Sequence, residues 1–449
     1  MTRLTALFAL CVSVAALPAC DLDVPDLNNP PIDDLEDNPT RENVIAATTG
    51  LIIGQRGNIA AGNGYVVQLG ILGREAYNFD GADPRYVGEL LAGPLQKGSP
   101  FGGNFWAGPY ANLRLAGLVQ AGADTAAGFS DQERAGVKGF TRTIMALDLL
   151  RVIVTHDTAG AVIDVDNPVD ELAPIVGKDA VYAEIVRLLD QAATDLAGAG
   201  DKFAFPLSSG FAGFAAPADF LKFNRAIRAR VAAYTGDYPG VLTALAASFL
   251  DDTVTTVAGL NVGVYYTFSA GTGDVTNGLV NRNIWAHPSI VADAQPNDAR
   301  VTRKVRQVED GGAAQMLMSD LKFNAYTATA PVPVIRNEEL LLLRAEALWK
   351  SNMLPEAIAD LNKVRTVSGG LTALATTLTE PEVADEVMYN RRYSLLFEGG
   401  HRWIDARRLG RLADLPLDRP EHVRNERYPI PQAECDARPG EAACTVESM

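Results

Sequence analysis

The chain has 449 residues and a formal charge of −16, with 55 Asp and Glu set against 39 Lys and Arg. That balance argues against a nucleic-acid binder, because phosphate contacts need clustered cations. Four cysteines and four histidines without ligand spacing exclude a zinc-rich module. A hydrophobic content of 47% with 21% charged residues excludes wholesale disorder, and the length allows a large core without metal or disulfide support.

Residues 1–19 carry one basic residue, Arg3, followed by an apolar run from Leu4 to Leu17 and small residues leading into Cys20. The run is too short to span a bilayer and reads as an export signal. Leu17-Pro18-Ala19-Cys20 resembles a bacterial lipobox, which implies cleavage before Cys20 and lipid attachment at that residue. The alternative is an ordinary secretory signal cut after Ala19. Several acyl chains, each buried CH₂ contributing about 0.8 kcal/mol, would hold the protein on a membrane essentially permanently. Residues 20–40 are acidic and proline-rich, without Lys or Arg, and are expected to act as an extended tether. The body, 41–449, is expected to be a single helical domain.

Helical patterning covers about 106–123, 131–155, 179–197 and 337–412. Looser stretches, rich in Gly, Asn, Thr and aromatics, lie between them, and the main excursions fall at 55–105 and 251–335. An internal repeat with an offset of 116 places Ile227-Arg228-Ala229 under Leu343-Arg344-Ala345. The same offset aligns Tyr238-Pro239 with Leu354-Pro355, and Leu245 with Leu361. Each copy reads as helix, tight turn, helix, with Pro239 and Pro355 in a first turn, where a missing N–H costs little. Small residues (Ala229, Ala232 and Ala233; Ala345, Ala347 and Ala357) allow close helix approach. The pattern resembles the tetratricopeptide hairpin. The expected fold is therefore mainly α, a scaffold of tetratricopeptide-like hairpins with loop-rich excursions and little β-structure. At the C-terminal end Cys435 and Cys444 flank a short polar tail. In an exported protein such a pair forms a local disulfide, the alternative being two free thiols.

No phosphate-binding Walker loop, no His-Glu-x-x-His, no Gly-x-Ser-x-Gly and no Cys-x-x-Cys occurs. His156, His287, His401 and His422 are scattered along the chain. No motif calls for a catalytic residue, a metal or a cofactor.

Four stretches together resemble the SusD/RagB family of outer-membrane nutrient-binding lipoproteins. They are Cys20 with its acidic leader, Trp106-Ala107-Gly108-Pro109-Tyr110-Ala111-Asn112, the long run from Asn337 to Arg408, and Tyr428-Pro429-Ile430-Pro431. The third is the most specific. It contains Arg344-Ala345-Glu346-Ala347, Leu361-Asn362-Lys363-Val364-Arg365, and Phe397-Glu398-Gly399-Gly400-His401-Arg402-Trp403. Asn390 and Ser394 depart from the family's usual glutamates and put a buried ion-pair network in question, while about 198–335 is unmatched. Read from the residues, this motif is structural. Glu398 is expected to end a helix, with Gly399-Gly400 as its left-handed cap. Arg402, Asp405 and Arg408 share one helical face suited to ion pairs, with Trp403 in the core.

The resemblance implies a non-enzymatic, surface-facing lipoprotein of the outer membrane. Such a protein binds an oligomeric nutrient, above all a glycan, and delivers it to a SusC-like TonB-dependent transporter. One alternative is an envelope scaffold whose hairpins bind protein or peptide; a secreted hydrolase is the other. For a glycan site, loop aromatics are the candidates, since sugar faces stack on flat rings. One group is Tyr77, Asn78 and Phe79 with Asp80 and Tyr86; a second is Tyr265 and Tyr266 with Phe268; Trp285 lies near Asn281 and Asn283. For every group the competing reading is core packing.

Overall fold

The computed structural model describes residues 32–167 and 171–449. Among them the backbone forms seventeen α-helices and three two-stranded antiparallel sheets, so the mainly α expectation holds. The signal segment, Cys20 and most of the tether lie outside the described residues.

The longest helix, Asp131–His156, organises the rest. Ser130 and Glu133 close a capping box at its start: the Ser130 hydroxyl accepts from the Glu133 N–H at 3.2 Å, and Glu133 accepts from the Ser130 N–H at 2.9 Å. Asp131 and Glu133 also sit favourably at the positive end of the helix dipole. From Thr143 to His156 every side chain is buried, because other elements cover the helix on all sides. Ala107–Thr125 and Lys178–Ala197 pack along it, and Arg41–Arg56 crosses behind.

Both repeat copies fold as helical hairpins: Pro217–Thr235 with Tyr238–Ala246, and Asn337–Lys350 with Leu354–Val364. Gly236 takes a left-handed conformation, φ 74°, at the first turn, where its N–H closes the preceding helix. Asn352 does the same in the second turn with φ 60°. Ala229, Ala233, Ala345 and Ala347 are buried, and the two hairpins pack against each other.

The run 337–412 differs from the sequence reading in one respect. The helix Glu380–Ser394 stops four residues before Glu398, and the chain turns through left-handed Phe397 (φ 58°) and Gly400 (φ 72°) into His401–Arg408. Gly400 therefore starts the next helix instead of capping the previous one. Leu69 leaves no room beside it, since a Cβ there would meet Leu69 at 2.4 Å. The early excursion also holds a helix that the apolar run Tyr65–Leu72 disguised as loop.

The strands lie within the two excursions and at the entry to the second hairpin. β1 (Ala76–Asn78) pairs with β3 (Ile284–Ala286), placing Tyr77 opposite Trp285. β2 (Gly263–Tyr266) pairs with β6 (Val332–Arg336), with a bulge between Val264 and Tyr265. β4 (Val305–Ala314) and β5 (Leu317–Phe323) form a hairpin that lies on β3. Its tip uses Gln315 and Met316, both at positive φ, a geometry that Asn-Gly adopts more easily.

Buried ion pairs tie these parts together. Asp405 accepts from Arg391 Nε at 2.7 Å and from Arg408 Nε at 2.8 Å, while Arg408 Nη2 also reaches Glu346 at 2.6 Å. Arg402 instead donates to the Arg74 carbonyl at 2.7 Å. A second network joins Arg336, Glu338, Glu398, Lys304 and Arg300. The network put in question by Asn390 and Ser394 is thus present. Glu338 accepts from the Ser394 hydroxyl at 2.6 Å, so a carboxylate on the neighbouring helix occupies the space where a glutamate at 394 would act. Trp403 is wholly buried, and its indole N–H donates to the Asn425 carbonyl at 2.8 Å. Cys435 and Cys444 are joined by a disulfide, with Cα atoms 5.6 Å apart.

Candidate functional site

The structure gathers two of the aromatic groups singled out above into one cluster on the β1–β3 pair. Tyr77 is 3% exposed, stacks on Phe79 at 5.2 Å and rests against His287 at 4.8 Å. Trp285 is half-buried next to Phe79, with Lys322 Nζ 3.4 Å from its ring centroid. Gly312 of β4 presses on the indole so closely that a Cβ there would lie 2.2 Å from it. Asn78 donates to the Gly62 carbonyl at 3.2 Å and caps the Asp80 N–H at 3.1 Å. Tyr86 is buried against Phe101. Tyr77, Asn78 and Tyr86 therefore hold the loops in place, and Phe79 with the rim of Trp285 is what faces outward.

The tyrosines of β2 have a different setting. The bulge between Val264 and Tyr265 breaks the usual alternation, so both Tyr265 and Tyr266 reach one cleft. Arg41–Arg56 supplies Ile52, Ile53, Gln55 and Arg56, the Asp131–His156 helix supplies Ile144 and Leu147, and Phe211 and Phe223 close the far wall. Gly210 lets that wall approach, since any Cβ there would meet the Tyr265 carbonyl. The cleft measures about 840 Å³ including its open mouth. At the rim Arg56 pairs with Asp274 at 2.7 Å and donates to the Thr267 carbonyl at 2.6 Å. Phe268, also named from the sequence, lies under the Arg56 guanidinium at 5.5 Å and is buried.

Behind Tyr266 the cleft continues into a more polar recess lined by Tyr65, Arg151, Arg230, Tyr234 and His401. Burial raises the Tyr266 hydroxyl pKa, an effect partly offset by the nearby Arg151 and Gln55. Arg230 is paired twice with Glu339, both contacts at 2.7 Å, and donates to the Val334 carbonyl at 2.6 Å. Burial lowers His401 to about 4, so it is neutral at physiological pH. A concave, largely apolar cleft with a few fixed polar groups is the usual form of a small-ligand site.

Sequence reasoning named Tyr265 and Tyr266 but missed Arg56, Phe211, Phe223 and Asp274. The signal was present in the phenylalanine-dense stretch Phe203, Phe205, Phe211, Phe214, Phe220 and Phe223, whose partners could not be assigned without the fold.

Chemically the cleft is equipped to bind. Asp274 lines the cleft and is paired with Arg56, and Glu398 lines the recess behind it. Elsewhere Ser289, His287 and Asp418 have a triad's composition. His287 Nδ1 accepts from the Ser289 N–H at 3.1 Å and lies 2.9 Å from the Ser289 hydroxyl, and Nε2 lies 2.9 Å from Asp418. Arg392 donates to the same hydroxyl at 2.8 Å, and His287 is 3% exposed. His287 thereby links the start of the Ser289–Ala292 helix to Asp418. Among the described residues no cluster of His, Cys, Asp or Glu could hold a metal ion.

The fold is that of a mainly helical protein built on tetratricopeptide-like hairpins, with a concave cleft at the β2 bulge. Residues 314–418 match the family model of the SusD family, a segment that contains the whole Asp405 network and Arg336, Glu338 and Glu398 of the second one. No curated protein matches the chain by sequence. In fold it is similar to a SusD superfamily protein from Bacteroides vulgatus, with TM-score 0.69 and 15% identity over 90% of this chain and 98% of that one. A SusD-like carbohydrate binding protein from Bacteroides fragilis has TM-score 0.69 and 14% identity, over 89% and 98% of the two chains. Surface glycan-binding protein A from Bacteroides uniformis has TM-score 0.65 and 16% identity, also over 89% and 98%. The resemblance to the SusD/RagB family read from the sequence is borne out in the 314–418 segment and in the fold. Among the described residues no helix is long and apolar enough to cross a membrane.

Proposed function

We propose that the chain is a surface-anchored, non-enzymatic receptor that binds an oligomeric glycan and passes it to a SusC-like TonB-dependent transporter. The observation that carries this reading is the aromatic cleft at the β2 bulge, where Tyr265, Tyr266 and Phe211 offer ring faces beside the fixed polar rim of Arg56 and Asp274. Aromatic faces bind the C–H faces of sugars, and Arg, Asp, Gln and Ser in the same wall suit hydroxyls. The fold shared with glycan-binding proteins named above supports the same class of ligand. Cys20 supplies the lipid anchor, and the acidic segment after it keeps a negatively charged body off an anionic surface.

The scaffold alternative has less support. The small residues that would receive a partner helix are already buried within this chain.

The test is a binding screen of the mature protein against neutral and acidic oligosaccharides and peptides, with Tyr266→Ala beside the wild type. Saturable glycan binding without hydrolysis, weakened at least tenfold by Tyr266→Ala, is the expected result. Peptide binding alone would overturn it. For the anchor, Cys20→Ser is expected to move the protein from the membrane fraction to the soluble fraction, and unchanged membrane association would remove Cys20 from that role.

A further inference from the structure

On the other side of Tyr265 and Pro333 lies a second pocket of about 750 Å³, and its charge is unlike that of the chain. Arg300, Arg303, Lys304 and Arg336 line it, against the carboxylates of Glu338 and Glu398. The carboxylates are already engaged. Glu338 and Glu398 both pair with Arg336, and Glu398 also takes Lys304 at 2.6 Å. Arg300 is matched by Asp298 at 2.7 Å and otherwise reaches only neutral groups, Asn390 at 2.9 Å and Ser394 at 3.1 Å.

Among the described residues Arg303 has no carboxylate partner. Its guanidinium donates to the carbonyl and hydroxyl of Ser368, which fix one edge and leave the rest exposed at the pocket. With Asp298 counted, four cations face three carboxylates, an unbalanced positive charge in a chain of −16. An arginine anchored at one edge presents its remaining N–H groups as a fork suited to a planar oxyanion. Tyr265 is the wall shared with the aromatic cleft, so a ligand crossing that ring touches both spaces.

We infer that this pocket receives an anionic oxygen group, a carboxylate or sulfate ester carried by an acidic glycan whose neighbouring rings lie in the aromatic cleft. The inference rests on the glycan reading and narrows it to charged oligosaccharides. Arg303 acts here as the specificity-determining contact, and the paired cations around it set the field.

The experiment uses matched pairs that differ in charge at the same oligosaccharide length: tetragalacturonate with its methyl ester, sialyllactose with its methyl ester, and a chondroitin sulfate tetrasaccharide with its desulfated and methyl-esterified form. Calorimetric titration of the wild type should give at least a tenfold preference for the acidic member of one or more pairs. Arg303→Gln should reduce that preference to under threefold without weakening the neutral member, and Arg303→Lys should retain most of it. Preference confined to the two purely carboxylate pairs or to the sulfated pair names the source of the charge. Neutral and acidic members bound alike, or a preference that survives Arg303→Gln, overturns the inference and leaves the glycan reading standing. Binding of no oligosaccharide of either kind overturns both.

Discussion

Asp405→Asn removes a buried negative charge and changes little in volume. Asp405 is 1% exposed and accepts from Arg391 Nε at 2.7 Å, Arg391 Nη2 at 3.2 Å and Arg408 Nε at 2.8 Å. Among the described residues Arg391 pairs with no other carboxylate, and its Nη1 has no hydrogen-bond partner. The amide would retain one acceptor but point N–H groups at N–H groups, leaving two arginines to share Glu346. Breaking a buried pair on one side costs about 3–5 kcal/mol, because the abandoned charge stays buried. An unfolding entropy of about 2.1 cal/mol/K per residue over 449 residues gives roughly 0.9 kcal/mol/K, so the melting temperature should fall by about 3–5 °C. The pH dependence has a definite sign. Burial pushes the Asp405 carboxyl up, but Arg391 and Arg408 outweigh it and bring it down to about 2. Its contribution is full above about pH 4, the unfolded value, and is lost as pH falls through about 2, so wild type and variant should converge there. Thermal melts followed by circular dichroism from pH 7 down to pH 2 measure both effects. A variant that melts within 1 °C of the wild type at pH 7 yet no longer binds glycan would refute the structural role and make Asp405 a ligand contact.

Asp148 behaves in the opposite sense. Burial raises its carboxyl to about 7 although Asn112 donates to it at 2.6 Å. It binds its proton more tightly folded than unfolded, so its stabilisation is full below about pH 4 and is lost as pH rises through about 7. In urea titrations Asp148→Asn should flatten that decline; an unchanged profile would refute the assignment. Replacing both Cys435 and Cys444 by Ser opens a loop with a sequence separation of 9, which should cost about 2–3 kcal/mol. Hydrogen exchange should report the loss as faster opening of the C-terminal segment, and unaltered exchange would show that the disulfide does not restrain it. Gly312→Val should displace the Trp285 indole, which leaves no room for a Cβ, and shift its fluorescence while leaving glycan affinity at the β2 cleft unchanged. A parallel loss of affinity would bring the β1–β3 cluster into the binding site.

The helical frame was legible because its signals are local. Alanine-lined repeats with Pro239 and Pro355 at matching positions specify hairpins regardless of what surrounds them, and Gly236 marks the turn. The ion-pair face of Asp405 and Arg408 was equally visible, since i, i+3 spacing puts both on one side of a helix. The end of Glu380–Ser394 was misplaced, because a left-handed Phe397 carries no sequence signal and Gly399-Gly400 invites the simpler reading. The aromatic groups were identified but not their surroundings. Tyr77 and Trp285 meet only through strand pairing across some two hundred residues, and Lys322 and Gly312 cover the indole from a separate hairpin. The cleft shares that property. Arg56, Phe211 and Asp274 come from three distant segments, so their convergence belongs to the fold and leaves no periodicity behind.

The central claim is tested most directly by titrating the mature protein with the oligosaccharide pairs and following heat release together with product formation. Saturable binding of an oligosaccharide, weakened at least tenfold by Tyr266→Ala and accompanied by no cleavage, is the predicted result. Turnover of any oligosaccharide, or affinity untouched when Tyr265 and Tyr266 are both replaced by Ala in a protein that still melts normally, would contradict it.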